Sequence, residues 1–202
     1  MARAFIFPGQ GSQAVGMGKA LAENFVEARA VFAEVDEALS QNLSALMFEG
    51  PEADLTLTAN AQPALMAVSL AVTRVLEAHA GLDIAKQAKF IAGHSLGEYS
   101  ALAAAGTFSI ADTARLLRLR GDAMQKAVPV GEGAMAALLG ADYATGVAIA
   151  EEAAQGQVCQ IANDNGGGQV VASGHKAAVE RAMDIAKAKG IKRAILLLSL
   201  IH

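Results

Sequence analysis

Strands that alternate with helices, glycine-rich loops between them, and a core chemistry of Ala, Leu, Val and Ile predict an α/β fold. Hydrophobic residues make up 53% of the 202-residue chain, yet aromatics only 4% with no Trp, a balance usual in helix-rich α/β proteins. Successive strands joined through helices imply a parallel sheet covered on both faces. Toward the C-terminus the pattern changes to β-α-β-β-α-β, the order of a ferredoxin-like unit.

The first strand is "RAFIF" (3–7), stopped by Pro8-Gly9. In "GMGKALAENFVEARAVFAEVDEALS" (16–40), Leu21, Phe25, Ala28, Phe32, Val35 and Leu39 recur at helical spacing, which predicts one long helix. "QPALMAVSLAVTRVLEAHAG" (62–81) places Pro63 in a first helical turn and Gly81 where a helix ends. "KFIAG" (89–93) reads as a buried strand and 96–105 as the helix after it. In the helix 109–127, Ser109 and Asp112 stand in capping-box spacing.

"VPVGEG" (128–133) is the clearest loop, and a domain boundary is expected there. Beyond it come a strand (134–140), a helix (144–154), strands "QVCQIAN" and "QVVASG" around "DNGGG", a helix (175–189) and the strand "RAILLL". The expected organisation is a large domain over 1–127, a small subdomain over 128–197 and a divergent tail over 198–202. Internal repeats and low-complexity tracts are absent from the sequence.

Composition excludes several classes of function. Sixteen basic against 20 acidic side chains, net charge −4, do not make the positive field that binds nucleic acid. The longest uncharged run, Leu55 to Thr73, contains Asn60, Gln62, Pro63 and several Thr, and is a poor membrane span. The apolar run before Pro8 is too short for a signal-peptide core, so a cytoplasmic protein is expected. Cys159 is the only cysteine, which rules out an internal disulfide and a thiolate metal cluster. No metal or other cofactor is expected.

Gly93-His94-Ser95-Leu96-Gly97 satisfies G-x-S-x-G, where a serine sits on a sharp strand-to-helix turn with its hydroxyl projecting. Glycines flank it because a side chain at either place would crowd the turn. The amide dipoles of the following helix would face a reacting carbonyl, with the Leu96 amide as natural first oxyanion donor. The same residue types also fit a plain N-cap, a role in which Ser is favoured. A second signal is "FPGQGSQAVGMG" (7–18), a glycine-rich loop able to supply donors beside Ser95. It matches neither G-x-G-x-x-G nor a P-loop, which argues against nucleotide binding.

Taken together, "FPGQGSQ", "QPAL", "GHSLGEYSAL", "LRGDAMQ", "VGEGAMAALLG" and "NDNGGGQVVASG", in this order, closely resemble the malonyl-CoA:acyl carrier protein transacylase family of bacterial fatty acid synthesis. The resemblance covers residues 3 to about 197. It implies a hydrolase-like large domain with the ferredoxin-like subdomain inserted, and transfer of a malonyl group from malonyl-CoA to the phosphopantetheine thiol of acyl carrier protein. Under it Ser95 carries the acyl group, Leu96 and Gln10 provide the oxyanion amides, and Arg120 binds the malonyl carboxylate. A planar guanidinium matches a carboxylate where lysine offers a point charge. Without the resemblance, Arg120 reads as one of three arginines, with Arg115 and Arg118, on a solvated helix face. Gln62 of "QPAL" lines the same pocket, Met124 forms a wall, His94 packs beside the nucleophile, and Asn163 and Asn165 form a turn bordering the site.

The general base is where the chain departs from the family pattern. His79, His94, His175 and His202 are the candidates. The family histidine follows the last strand of the small domain within a proline-containing pattern; here that strand leads to Leu198-Ser199-Leu200-Ile201-His202. His202 therefore takes the role only by position, about two residues early. Family members continue further, so the C-terminal part of the large domain and the carbonyl that orients the histidine are expected to be missing from a truncated member. Between His175 and Arg193 six basic residues (Lys176, Arg181, Lys187, Lys189, Lys192, Arg193) face two acidic ones, a strip suited to an acidic carrier protein. The alternatives are a serine esterase or thioesterase, and a catalytically inactive carrier-binding form. The resemblance also implies a monomer in full-length form.

Overall fold

The computed structural model describes residues 3–128 and 131–197. The chain divides into two compact units between Met124 and Gln125, inside a helix.

The first unit opens with β1 (Ala4–Phe7), followed by α1 (Lys19–Asn24) and α2 (Val26–Leu39). The single helix predicted after the glycine loop is thus broken at Phe25, which has extended backbone angles (φ −129°, ψ 124°). Periodicity alone hides this, because Phe25 stays in phase with the apolar stripe and packs edge-on against His79. Arg29 Nη1 donates to the carbonyls of Ala22 (2.7 Å) and Glu23 (3.3 Å), groups left open where α1 ends.

Two short helices, α3 (Leu43–Glu49) and α4 (Glu52–Thr56), lead into α5 (Thr58–Ala80). Pro63 therefore lies inside α5 and not in its first turn. The polar start "TANAQ" resembles a loop in sequence, yet Thr58 and Gln62 are buried and hydrogen-bonded within the fold. After the single turn α6 (Ile84–Gln87) come β2 (Phe90–Gly93), α7 (Leu96–Ala104) and α8 (Ile110–Ala127). Ser109 Oγ accepts from the Asp112 amide (3.0 Å) and donates to its carboxylate (2.8 Å), as the capping-box spacing predicts.

β1 and β2 pair in parallel, Phe7 opposite Gly93, so the ends of both strands stand together. Phe5, Phe7 and Ile91 face a core built from α2, α3, α5 and α7, in which Val35, Leu43, Met66 and Leu96 are at most 1% exposed. The other face carries Ile6 at 79% and Phe90 at 64% exposure. Among the described residues this sheet is covered on one face, where the sequence predicts cover on both.

The second unit contains β3 (Gly133–Leu139), α9 (Tyr143–Ala154), β4 (Cys159–Asp164), β5 (Gln169–His175), α10 (Lys176–Ala188) and β6 (Arg193–Leu196). Its antiparallel sheet has the order β4-β5-β3-β6, which is the ferredoxin-like arrangement. Ala134, Ala136 and Leu138 alternate along β3 toward α9 and α10, where Ile149, Val179 and Ala182 are fully buried. Cys159 is buried here, and that burial pushes its thiol pKa up. No helix among the described residues is long and apolar enough to cross a membrane.

Candidate active site

The site is assembled where β2 turns into α7. Ser95 adopts φ 54° and ψ −117°, a strained backbone rare for a residue with a Cβ. Both flanking glycines are needed for close approach. A Cβ on Gly93 would lie 2.0 Å from the Gly97 carbonyl group, and one on Gly97 would lie 2.3 Å from the Phe7 carbonyl oxygen. The turn thus presses α7 onto the ends of β1 and β2. Ser95 makes no side-chain capping hydrogen bond, so the plain N-cap reading does not describe its hydroxyl. The side chain is exposed, while the next residue, Leu96, is buried and begins α7.

Arg120 Nη2 donates to Ser95 Oγ at 3.0 Å, and its Nη1 donates to Gln62 Oε1 at 2.6 Å. The guanidinium also lies 6.0 Å from the centre of the Tyr99 ring, one helical turn beyond the serine. The three arginines of α8 have separate partners. Arg115 pairs with Asp112 at the surface (3.1 Å), and Arg118 donates to the neutral side chains of Asn60 and Gln41. Burial pushes the Arg118 pKa below its usual value, against the opposing pull of Asp122. Only the angular position of Arg120 on α8 brings a guanidinium to Ser95 among these three.

Gln62 is completely buried. Its Nε2 donates to Thr58 Oγ1 at 2.9 Å and contacts Met124 Sδ at 3.4 Å. Thr58 Oγ1 in turn donates to Gln10 Oε1 at 3.0 Å. Ser95, Arg120, Gln62 and Gln10 are thereby joined into one chain of hydrogen bonds.

Thr58 is the member that the sequence reading misses. It lies four residues before Gln62, the spacing of neighbours on one helix face, but a helix start read at Gln62 conceals it.

The histidines are placed differently. His94 exposes its side chain and its ring lies against Gly9, whose added Cβ would come 2.7 Å from Nδ1. His79 pairs with Glu27 (3.3 Å), and His175 Nδ1 accepts from the Val158 amide (2.9 Å). His202 lies outside the described residues. Asn163 and Asn165 sit at the exposed end of β4, where the Asn165 amide donates to the Gln169 carbonyl (2.9 Å) in a tight turn. Among the described residues no cluster of His, Cys, Asp and Glu has the arrangement of a metal site.

A serine on a strand-to-helix elbow of a parallel sheet, with a guanidinium at its hydroxyl, is an arrangement that fits acyl-transfer chemistry. The family model of the acyl transferase domain matches residues 4–196, and the chain belongs to this family. It is 50% identical over 192 residues to a malonyl CoA-acyl carrier protein transacylase of Escherichia coli O157:H7, covering 95% of this chain and 61% of that protein. The Bacillus subtilis strain 168 protein of the same name is also 50% identical, over 193 residues. An acyl-carrier-protein S-malonyltransferase crystal structure from Bartonella henselae superposes with TM-score 0.93 at 64% identity, over all of this chain and 63% of that one. A malonyl-transacylase solved in complex with a type II polyketide acyl-carrier protein superposes at TM-score 0.91 and 45% identity, over all of this chain and 64% of that one. The chain spans about 61% of the length of the Escherichia coli relative.

Proposed function

We propose that the chain carries the acyl-enzyme half of a malonyl transferase that moves malonyl from malonyl-CoA to the phosphopantetheine thiol of acyl carrier protein. The observation that carries this reading is the 3.0 Å contact of Arg120 with Ser95. In a malonyl thioester one methylene separates the carboxylate from the reacting carbonyl. A cation that reaches the nucleophile can therefore hold the carboxylate while Ser95 attacks, and the fork geometry of guanidinium favours this dicarboxylate half-ester over a neutral acyl group.

In this reading Ser95 Oγ bonds to the carbonyl carbon, its proton passes to a base, and the carbonyl oxygen becomes an oxyanion held by the Leu96 and Gln10 amides. Collapse of the tetrahedral intermediate breaks the carbon–sulfur bond, and coenzyme A leaves with a proton as the free thiol. Attack by the carrier thiol then reverses the sequence and frees Ser95. Each oxyanion donor is worth about 2.7–4 kcal/mol of transition-state stabilisation. The base is assigned to His202 by its place after the last strand of the second unit.

Carrier docking is assigned to the basic strip of that unit, with a narrower membership than the sequence shows. Arg181 donates to the carbonyls of Ala153 and Ala154 and to Gln157, and Lys189 pairs with Glu152 at 3.0 Å. Lys176, Lys187, Lys192 and Arg193 remain as exposed cations for an acidic partner. The monomeric state belongs to the same proposal.

The test is the intact mass of the protein after brief exposure to malonyl-CoA. A malonyl adduct is expected that disappears in Ser95→Ala and falls at least tenfold in Arg120→Ala, while acetyl-CoA labels poorly. An adduct equally strong with acetyl-CoA would remove the role of Arg120. Release of coenzyme A at the same rate with and without carrier protein would favour the thioesterase alternative.

A further inference from the structure

We infer that Thr58 is a positioning residue whose single hydroxyl sets the orientation of two glutamine side chains and so couples Arg120 to the "PGQG" loop. The function given to this coupling rests on the malonyl-transfer reading; the coupling itself rests on the hydrogen bonds.

Donor and acceptor chemistry dictates the direction of the chain. A guanidinium has donors only, so Arg120 Nη1 must meet the Oε1 end of the Gln62 amide, at 2.6 Å. The Nε2 end then points at Thr58 Oγ1 (2.9 Å), which must accept. Having one proton, the hydroxyl gives it to Gln10 Oε1 at 3.0 Å, which leaves Nε2 as the donor end of Gln10. The charge at one end thus determines the orientation of Gln62, and the Thr58 proton, placed on Gln10 Oε1, carries the order on to Gln10.

Burial makes the arrangement costly to reverse. Thr58 is 1% exposed and Gln62 is 0% exposed, so water is not available to satisfy a rotated amide. Turning Gln62 over would place its NH2 against Arg120 and reverse the Thr58 hydroxyl, removing the donor from Gln10. A disturbance at the anion-binding arginine is therefore felt at the loop proposed to hold the oxyanion. The bonds of the Thr58 hydroxyl run to Gln62 and Gln10, and it acts through them.

The experiment compares Thr58→Val, which nearly preserves shape and removes the hydroxyl, with Thr58→Ser, which restores it. Side-chain amide resonances of Gln10 and Gln62 are followed by NMR, together with hydrogen exchange at Arg120 Nε. The malonyl-to-acetyl ratio of Ser95 acylation is measured in parallel. In Thr58→Val both glutamine resonances move, exchange at Arg120 quickens, and the ratio falls roughly 3–10-fold, mainly through KM for malonyl-CoA. Thr58→Ser returns all four to wild-type values.

Unmoved glutamine resonances in Thr58→Val, or no recovery in Thr58→Ser, overturn the inference. Should Thr58→Val not fold, Gln62→Leu reads the same coupling: Gln10 resonances shift although Gln62 does not bond to Gln10, and no shift overturns it. Moved and rescued resonances in a protein whose wild type forms no malonyl adduct would uphold the coupling and defeat the transfer reading.

Discussion

The two units use glycine and alternation for different ends. In the second unit, β3 pairs with both β5 and β6, and α9 and α10 cover one sheet face with fully buried Ile149 and Val179. Its sheet closes when the last strand, β6, pairs with the first, β3. The first unit spends its close packing on the elbow, where Gly93 and Gly97 bring backbones together, and leaves Ile6 and Phe90 exposed on the outer sheet face. Both regions have a core, and the first adds to it a strained turn that carries Ser95.

The strongest way to break this comparison is Gly93→Ala. Its Cβ would lie 2.0 Å from backbone atoms of Gly97, which cannot rotate away. A loss of more than about 4 kcal/mol in the first unit is expected, with hydrogen exchange at Val170 in the second unit unchanged. Parallel loss of protection at Val170 would show that the units unfold as one.

The complementary variant is Leu138→Ala, at a fully buried position of the second core. It is expected to cost about 2–5 kcal/mol in urea unfolding and to leave exchange at Met66 as in the wild type. Loss of protection in both units would erase the distinction.

A smaller effect is expected at the start of α9, where Asp142 caps the helix by accepting from the Thr145 amide at 2.8 Å. Hydrogen bonds from Thr145, the side chain first and the backbone next, hold the Asp142 pKa below its ordinary 3.8. Because the folded-state value is the lower one, this contribution is complete above 3.8 and disappears as pH falls through the folded value. Asp142→Ala should lower the melting temperature at neutral pH, and the gap should close in acid. A gap that persists under strongly acidic conditions would contradict the assignment.

The smallest effect is expected from Ile6→Thr with Phe90→Thr on the open sheet face. Stability should change by no more than about 0.5 kcal/mol, since little apolar area is buried there. A loss of several kcal/mol in the same unfolding assay would mean that this face is covered in solution.

Much of the fold was legible because its signals are local. The capping pair Ser109 and Asp112 and the strand-turn-helix around Ser95 follow from residue chemistry over a few positions. The β-α-β-β-α-β order follows from successive changes of period, and it suffices for the observed strand arrangement. The break at Phe25 was not legible, because an extended residue there leaves the apolar stripe in phase. Nor was the start of α5, whose Thr58 and Asn60 look like loop residues until their hydrogen-bond partners are known.

Sequence by itself determined the α/β class, the elbow and its glycines, and the residue types able to bind a carboxylate or hold an acyl group. Tertiary structure alone decided which of three helical arginines reaches Ser95, that Thr58 joins Gln62 to Gln10, and which sheet face stays open. The physical reason is range: turns, caps and strand periods are encoded by adjacent residues. The direction of a guanidinium and the polarity of a buried amide depend on groups separated by tens of residues in the chain.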